Sequence, residues 1–173
     1  MATEGIGDLN SKEKGSGARL NTGKDDWSLL PLRQVAQMLR PVSTVSTANL
    51  VECLNCLGEF QERWDDQDSE VFLKAALDWL GSMDDVLSAA TKVFEFGKRK
   101  YAPWNWAKGM PWSVPLACAA RHIRDVVLRG QELDADSGES HVGHIACNIF
   151  MLLHYVQFYK EGNDLPPNEY FRD

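Results

Sequence analysis

The sequence predicts an all-α fold, a bundle of about six helices with an ordered aromatic loop, and three observations carry that reading. Apolar residues recur at three- and four-residue steps in six separate stretches. No stretch alternates apolar and polar side chains as a half-buried strand does. Glycines, prolines and polar clusters fall between the periodic stretches, where connections belong. A chain of 173 residues is the size of one domain and can bury a core without disulfides.

Taken in order, residues 1–18 combine glycine, serine and charge without periodicity, which predicts a flexible N-terminal arm ahead of a single domain over 19–165. In ARLNTGKDDWSLLP, Gly23 permits a turn, and Trp27, Leu29 and Leu30 can dock on a core. After Pro31 the stretches LRQVAQML, STANLVECLNCLGEFQERW, SEVFLKAALDWL and SMDDVLSAATKVFEFGKRK all read as helices. Ser82 and Asp85 have the spacing of a capping box, and Ser69 is placed to cap the helix beginning beside it. YAPWNWAKGMPWSVP breaks the period, and Trp104, Trp106 and Trp112 are too costly to leave in water together, so this loop is expected to be ordered. SVPLACAARHIRDVVLRG follows, with Leu116, Ala119, Ala120, Ile123 and Val127 on one stripe and Gly130 at its end. The loop QELDADSGES leads into a last helix over about 140–160, and 166–173 form an irregular tail.

The net charge of −7 and a pI near 5.1 argue against a protein that coats nucleic acid, which needs clustered Lys and Arg for phosphate. A small anionic ligand is compatible if local cations or metals receive it. MATEGIGDLNSKEKGSG has no apolar signal region, and IACNIFMLL is too short to span a bilayer, so a cytoplasmic protein without membrane contact is expected. Of the four cysteines, Cys53 and Cys56 form a CLNC that could suggest zinc. With Leu50, Leu54 and Leu57 they follow helical spacing, and buried free thiols are the better reading.

The chemistry concentrates late in the chain. His122 and Asp125 are three residues apart on one predicted helix, His141 and His144 on the next, with Asn148 one turn further. The two pairs can meet only if the returning helix brings them level. Between them, Glu132, Asp134 and Asp136 alternate in a loop that resembles a cation-binding turn but lacks the acid at its twelfth position. A solvated acidic loop near a helix N-terminus is the plainer alternative. Several converging histidines favour metal. Lys98, Arg99 and Lys100 end a helix, where positive charge suits the dipole anyway. Arg19, Lys24, Lys108 and Arg121 lie beside aromatics or in structured loops and could hold phosphate, with Trp104 or Trp106 offering a face to a base.

RLNTGKDDWSLLP, FGKRKYAPWNWAKG and RHIRDVVLRGQELDADSGESHVGHIA together resemble the dATP/dGTP diphosphohydrolase family of phages and bacteria, a MazG-like branch of the all-α nucleoside triphosphate pyrophosphohydrolases. The resemblance covers residues 17–40 and 90–160 and sets 40–88 apart as inserted helices. It implies metal-dependent hydrolysis of a purine deoxynucleoside triphosphate to the monophosphate and pyrophosphate, by a homodimer or homotetramer, in the host cytoplasm if phage-encoded. We expect dGTP to be slightly preferred over dATP. Carried onto this chain, nucleotide binding falls to Arg19, Asn21, Lys24, Tyr101, Asn105, Trp106 and Lys108. Metal binding falls to His122, Asp134, His141 and His144. Lys24, Lys100 and Arg121 are expected to clamp pyrophosphate, and Glu132 or Asp134 to act as general base. Two departures stand out. Gln131 occupies the position of the family's acidic residue, with Glu132 next to it. MazG-type enzymes use an ExxE pair and a later ExxD pair; here Glu59 and Glu62 supply the first, and HIRD and HVGH stand at the second. Both sets are expected to contribute. Imidazole ligands favour Mn2+, or Co2+, over Mg2+. The rival readings are a non-catalytic helical metal-binding or interaction protein, and a phosphohydrolase that releases triphosphate, although no adjacent His and Asp occur anywhere in the chain.

Overall fold

The six apolar-periodic stretches fold as six helices: α1 (Leu32–Leu39), α2 (Ala48–Arg63), α3 (Glu70–Asp78), α4 (Met83–Tyr101), α5 (Ser113–Val127) and α6 (His141–Phe158). The computed structural model describes residues 5–172. Among them there is no strand, only the isolated bridges Ile6 to Arg19 and Leu133 to Ser140. No helix among the described residues is long and apolar enough to cross a membrane.

The last helix, α6, is the axis of the bundle. It packs against α3, α4 and α5, while α2 packs against α1, α3 and α5. Its burial on several sides follows from apolar residues all round: Ile145, Ile149, Leu152 and Tyr155 are fully buried together with Ala146. Contact with α4 is close at Gly143, where an added Cβ would stand 2.6 Å from the backbone oxygen of Ala89. Gln61 on α2 ties down the segment before α1. Its Nε2 donates to the carbonyls of Ser28 at 2.8 Å and Leu30 at 3.0 Å, and its Oε1 accepts from the N–H of Leu32 at 3.1 Å.

Ser82 caps α4 as its spacing predicts: Oγ accepts from the Asp85 N–H at 3.3 Å and donates to the Asp85 carboxylate at 2.6 Å. Ser69 does not cap α3. Its backbone is already helical, which turns the hydroxyl away from the N–H groups it would need to reach. Cys53, Cys118 and Cys147 are buried free thiols and Cys56 is half-buried.

The aromatic loop is ordered, with one exception. Trp112 is buried and its indole N–H donates to the Tyr159 carbonyl at 2.9 Å, and Trp106 packs on Phe94 with centroids 5.4 Å apart. Trp104, however, is 72% exposed. It sits at φ 60° and nearby Ala102 at φ 106°, two left-handed non-glycine residues beside Pro103 that turn this ring outward.

Residues 5–18, the described part of the expected flexible arm, are laid over this loop by hydrogen bonds; residues 1–4 lie outside the described residues. Gly17 N–H donates to the Gly109 carbonyl at 2.8 Å, and Lys108 Nζ donates to the carbonyls of Asp8 at 3.1 Å and Ser11 at 3.0 Å. The backbone groups of a glycine-rich segment find partners here that composition does not reveal. The tail is likewise tied to the end of α2. The Trp64 indole donates to the Pro166 carbonyl at 2.9 Å, and Arg172 pairs with Asp65 and Asp66.

Candidate active site

The loop between α5 and α6 closes so that the two histidine pairs come level. The bridge between Leu133 and Ser140 pinches it, and Ser140 caps α6 by accepting from the Val142 N–H at 3.1 Å. His122, on α5, then meets the first turn of α6. Its Nδ1 lies 2.8 Å from Nδ1 of His141, and its ring stacks on His144 with centroids 4.4 Å apart.

Asp134 organises the turn that follows. Its carboxylate accepts from the N–H and the hydroxyl of Ser137, both at 2.9 Å, and its backbone carbonyl accepts from the N–H of Gly138, at φ 73°. Ser137 Oγ in turn lies 2.7 Å from His144 Nε2, giving an Asp134–Ser137–His144 chain. Lys100, from the last turn of α4, pairs with Asp136 at 2.6 Å.

Burial decides the charge states. It pulls His122 well below the usual imidazole range, helped by the neighbouring His144 and His141. Burial likewise takes His144 down to about 4, against the opposing pull of Asp134. Asp134 feels the same burial in the opposite sense, but the hydrogen bonds from Ser137 outweigh it and hold the carboxyl below its ordinary value. The site therefore presents neutral imidazoles beside an ionised carboxylate, the protonation states that metal binding requires.

His122, Asp125 and His141 each offer one ligand atom, all within 4.8 Å of one another. The buried His141 Nε2 has no hydrogen-bond partner. Two imidazole nitrogens bound at about 2.1 Å to one tetrahedral or octahedral ion stand roughly 3.0–3.4 Å apart, so their 2.8 Å spacing needs only a small adjustment. Asp125 is also held by Arg124 at 2.9 Å and Arg129 at 3.1 Å, which fixes its direction while competing for its charge. This donor set fits a divalent cation with an affinity for imidazole.

A cavity of about 450 Å³ opens beside the cluster, between α4, α5, α6 and the segment 18–24. His122, His144 and Asp134 line it, as do Lys24, Lys98 and Lys100. Phe94, Trp104, Trp106, Met110 and Met151 supply an apolar remainder. Arg19, Tyr101 and Asn105 also face it, but with different freedom. Asn105 spends its amide on Ala18, accepting at 3.0 Å and donating at 2.8 Å, and the Tyr101 hydroxyl accepts from the Leu20 N–H at 3.2 Å.

Other expected site residues stand elsewhere. Arg121 donates to the Asp25 carbonyl at 2.6 Å and to Asn21 Oδ1 at 2.8 Å, so the pair shapes the segment around Lys24 from outside the cavity. Lys108 is taken up by the N-terminal segment. Glu132 is exposed and contributes its backbone carbonyl, which accepts from the His141 N–H at 3.1 Å. His141 lies behind His122 and does not line the cavity. Glu59 and Glu62 do not line it either: they face α1, where Arg33 approaches Glu62 at 2.7 Å and Glu59 at 3.2 Å. The ExxE pair faces Arg33, with Glu62 Oε1 and Arg33 Nε left without a hydrogen bond among the described residues, and the histidine cluster assembles without it. Asp125 was visible only as the partner of His122 in HIRD, and Met151 fell among ordinary apolar positions of the last helix.

Residues 65–165, more than half of the chain, match the family described as dATP/dGTP diphosphohydrolase, N-terminal. The matched span runs from α3 through α6 and includes the whole histidine and aspartate cluster. It also takes in 65–88, which the motif resemblance had set apart, and excludes Glu59, Glu62 and the segment around Arg19. No curated protein and no solved structure matches the chain. This protein is an enzyme, and it belongs to the dATP/dGTP diphosphohydrolase family.

Proposed function

We propose that the enzyme hydrolyses purine deoxynucleoside triphosphates, dGTP ahead of dATP, to the monophosphate and pyrophosphate, and that it needs a divalent cation to do so. One observation carries the reading: neutral imidazoles and an ionised Asp134 line a cavity that lysines and aromatic side chains also line. At about 450 Å³ it is large enough for a nucleotide.

His122, His141 and Asp125, with His144 and Asp134 beside them, are the residues that would hold the cation. Bound there, a divalent ion supplies neutralisation of phosphate charge and a lowered pKa for an attacking water. Asp134 stays ionised and accepts from Ser137, which suits it to orienting a water rather than to acting as a strong base. Lys24 and Lys100 clamp the pyrophosphate end, Lys100 exchanging its contact with Asp136 for phosphate oxygens. Arg121 acts one step back, holding Asn21 and Asp25 so that the segment carrying Lys24 keeps its course. Phe94, Trp104 and Trp106 receive the base.

Product analysis tests the reaction. Purified enzyme with dGTP and Mn2+ should release pyrophosphate and dGMP, whereas tripolyphosphate and deoxyguanosine would overturn the reading. His122→Ala should abolish turnover, and Mn2+ or Co2+ should support more activity than Mg2+, because imidazole ligands suit the former. We also take the enzyme to act as a homodimer or homotetramer in the cytoplasm; sedimentation equilibrium of the full chain checks the assembly.

A further inference from the structure

Arg19 presents the one guanidinium that faces the cavity among the described residues. Its backbone is clamped on both flanks: it exchanges hydrogen bonds with Ile6 at 2.9 and 3.0 Å, the preceding Ala18 is paired with Asn105, and the Leu20 N–H donates to Tyr101. The side chain is steered by α6, with Nη2 donating to Asn148 Oδ1 at 3.2 Å and Nη1 reaching Met151 Sδ at 3.6 Å. A thioether is a weak acceptor, and no Asp or Glu among the described residues pairs with this cation. Nε and one N–H on each terminal nitrogen therefore lack an acceptor among the described residues.

We infer that Arg19 is the residue that selects the base, donating two parallel N–H bonds to O6 and N7 of guanine, an inference that rests on the nucleotide reading of this cavity. Three features favour a base edge over a phosphate. Met151 touches the guanidinium, and Met110, Cys147 and Trp106 line the same cavity, apolar neighbours that suit a base edge better than a strongly hydrated phosphate. Lysine charge that can take the phosphates lines the same cavity on Lys24, Lys98 and Lys100. The neighbouring amides are already spent, Asn105 on Ala18 and Asn148 on Arg19 and the His144 carbonyl, so they cannot read the base themselves. Stacking on Trp104 or Trp106 holds any purine, since every base has a π face. The arginine fork does discriminate. Guanine offers it two acceptors, whereas adenine offers N7 and a donating amino group.

Binding of monophosphates separates this inference from the hydrolytic reading. Calorimetric titration in EDTA should show the wild-type chain binding dGMP about 10- to 100-fold more tightly than dAMP, the range a bidentate pair provides. Arg19→Gln should erase or reverse that ratio, because a glutamine amide matches the adenine edge. Arg19→Lys keeps the charge without the fork and should also lower the ratio, which covers the case in which the glutamine variant fails to fold, as judged by circular dichroism. Equal affinities in the wild-type chain, no binding of either nucleotide, or a ratio that persists in both variants overturns the assignment. So does a loss of pyrophosphate affinity with the base ratio unchanged, which would put Arg19 on phosphate. Turnover of dGTP by the wild-type enzyme, measured separately, decides the hydrolytic reading whatever the base ratio turns out to be.

Discussion

Gly143→Ala tests how closely the site depends on the contact between α4 and α6. Gly143 lies between His141 and His144, and a Cβ added there would stand 2.6 Å from the Ala89 oxygen, 2.9 Å from the Ala89 carbonyl carbon and 3.0 Å from Val93 Cγ2. The first two atoms belong to helix backbone and cannot rotate away. Restoring ordinary contacts of about 3.5 Å requires the helices to separate by roughly 0.5–1 Å. Alanine gains roughly 0.8–1 kcal/mol in helix propensity, and overpacking against rigid atoms costs about 1–3 kcal/mol. With the cost at its upper end, the variant should be destabilised by about 1–2 kcal/mol, a fall of roughly 2–8 °C in Tm for a chain of this size. Both histidines ride on the displaced turn, and a misplacement of about 1 Å can cost on the order of 100-fold in rate. Gly97→Ala on α4 is the control for stability alone, since its Cβ meets nothing within 4 Å and only the propensity gain of about 0.5–1 kcal/mol should appear, whereas Gly97 lines the cavity and so does not serve as a control for rate. Calorimetric melts and kcat/KM for dGTP measure both effects. A Gly143→Ala enzyme as stable and as active as the parent would refute the argument.

Three further outcomes are expected. Gln61→Leu strips partners from the carbonyls of Ser28 and Leu30 and the N–H of Leu32, and should cost about 3–5 kcal/mol in urea unfolding; a loss under about 1 kcal/mol would contradict the role assigned to this amide. Lys100→Met removes only a partly exposed ion pair with Asp136, so stability should change by less than about 1 kcal/mol, whereas kcat/KM for dGTP should fall on the order of 10- to 100-fold; unchanged kinetics would remove Lys100 from the site. Burial pushes the thiols of Cys53 and Cys147 well above their ordinary range, so the native chain keeps them protonated while the unfolded chain ionises them from about pH 8.5. Their contribution to stability is thus complete below that pH and is lost as pH rises beyond it; urea midpoints should decline above about pH 8.5 and less steeply in Cys53→Ala, and native thiols should resist a disulfide reagent at pH 8.

Helix positions, the Ser82 cap and the buried thiols were legible because each depends on a few neighbouring residues. A three-residue step puts His141 and His144 on one side of α6 whatever else the chain does, and Leu50, Leu54 and Leu57 carry Cys53 inward in the same way, leaving Cys56 half-buried. Ser69 failed as a cap because capping also needs an extended backbone at the capping residue, and residue type alone does not supply it.

Composition and periodicity thus established an all-α chain with a histidine and aspartate cluster late in its length. The partners of its charged and polar groups emerged only on folding. Glu59 and Glu62 turn to Arg33, Arg121 to Asn21 and Asp25, Lys108 to the N-terminal segment, and Arg19, among the described residues, brings a guanidinium without a carboxylate partner to the cavity wall. The direction in which a helix faces is written in steps of three and four residues along one backbone. The partner a long side chain finds is settled by segments 29 to 100 positions away, whose arrival no local pattern encodes.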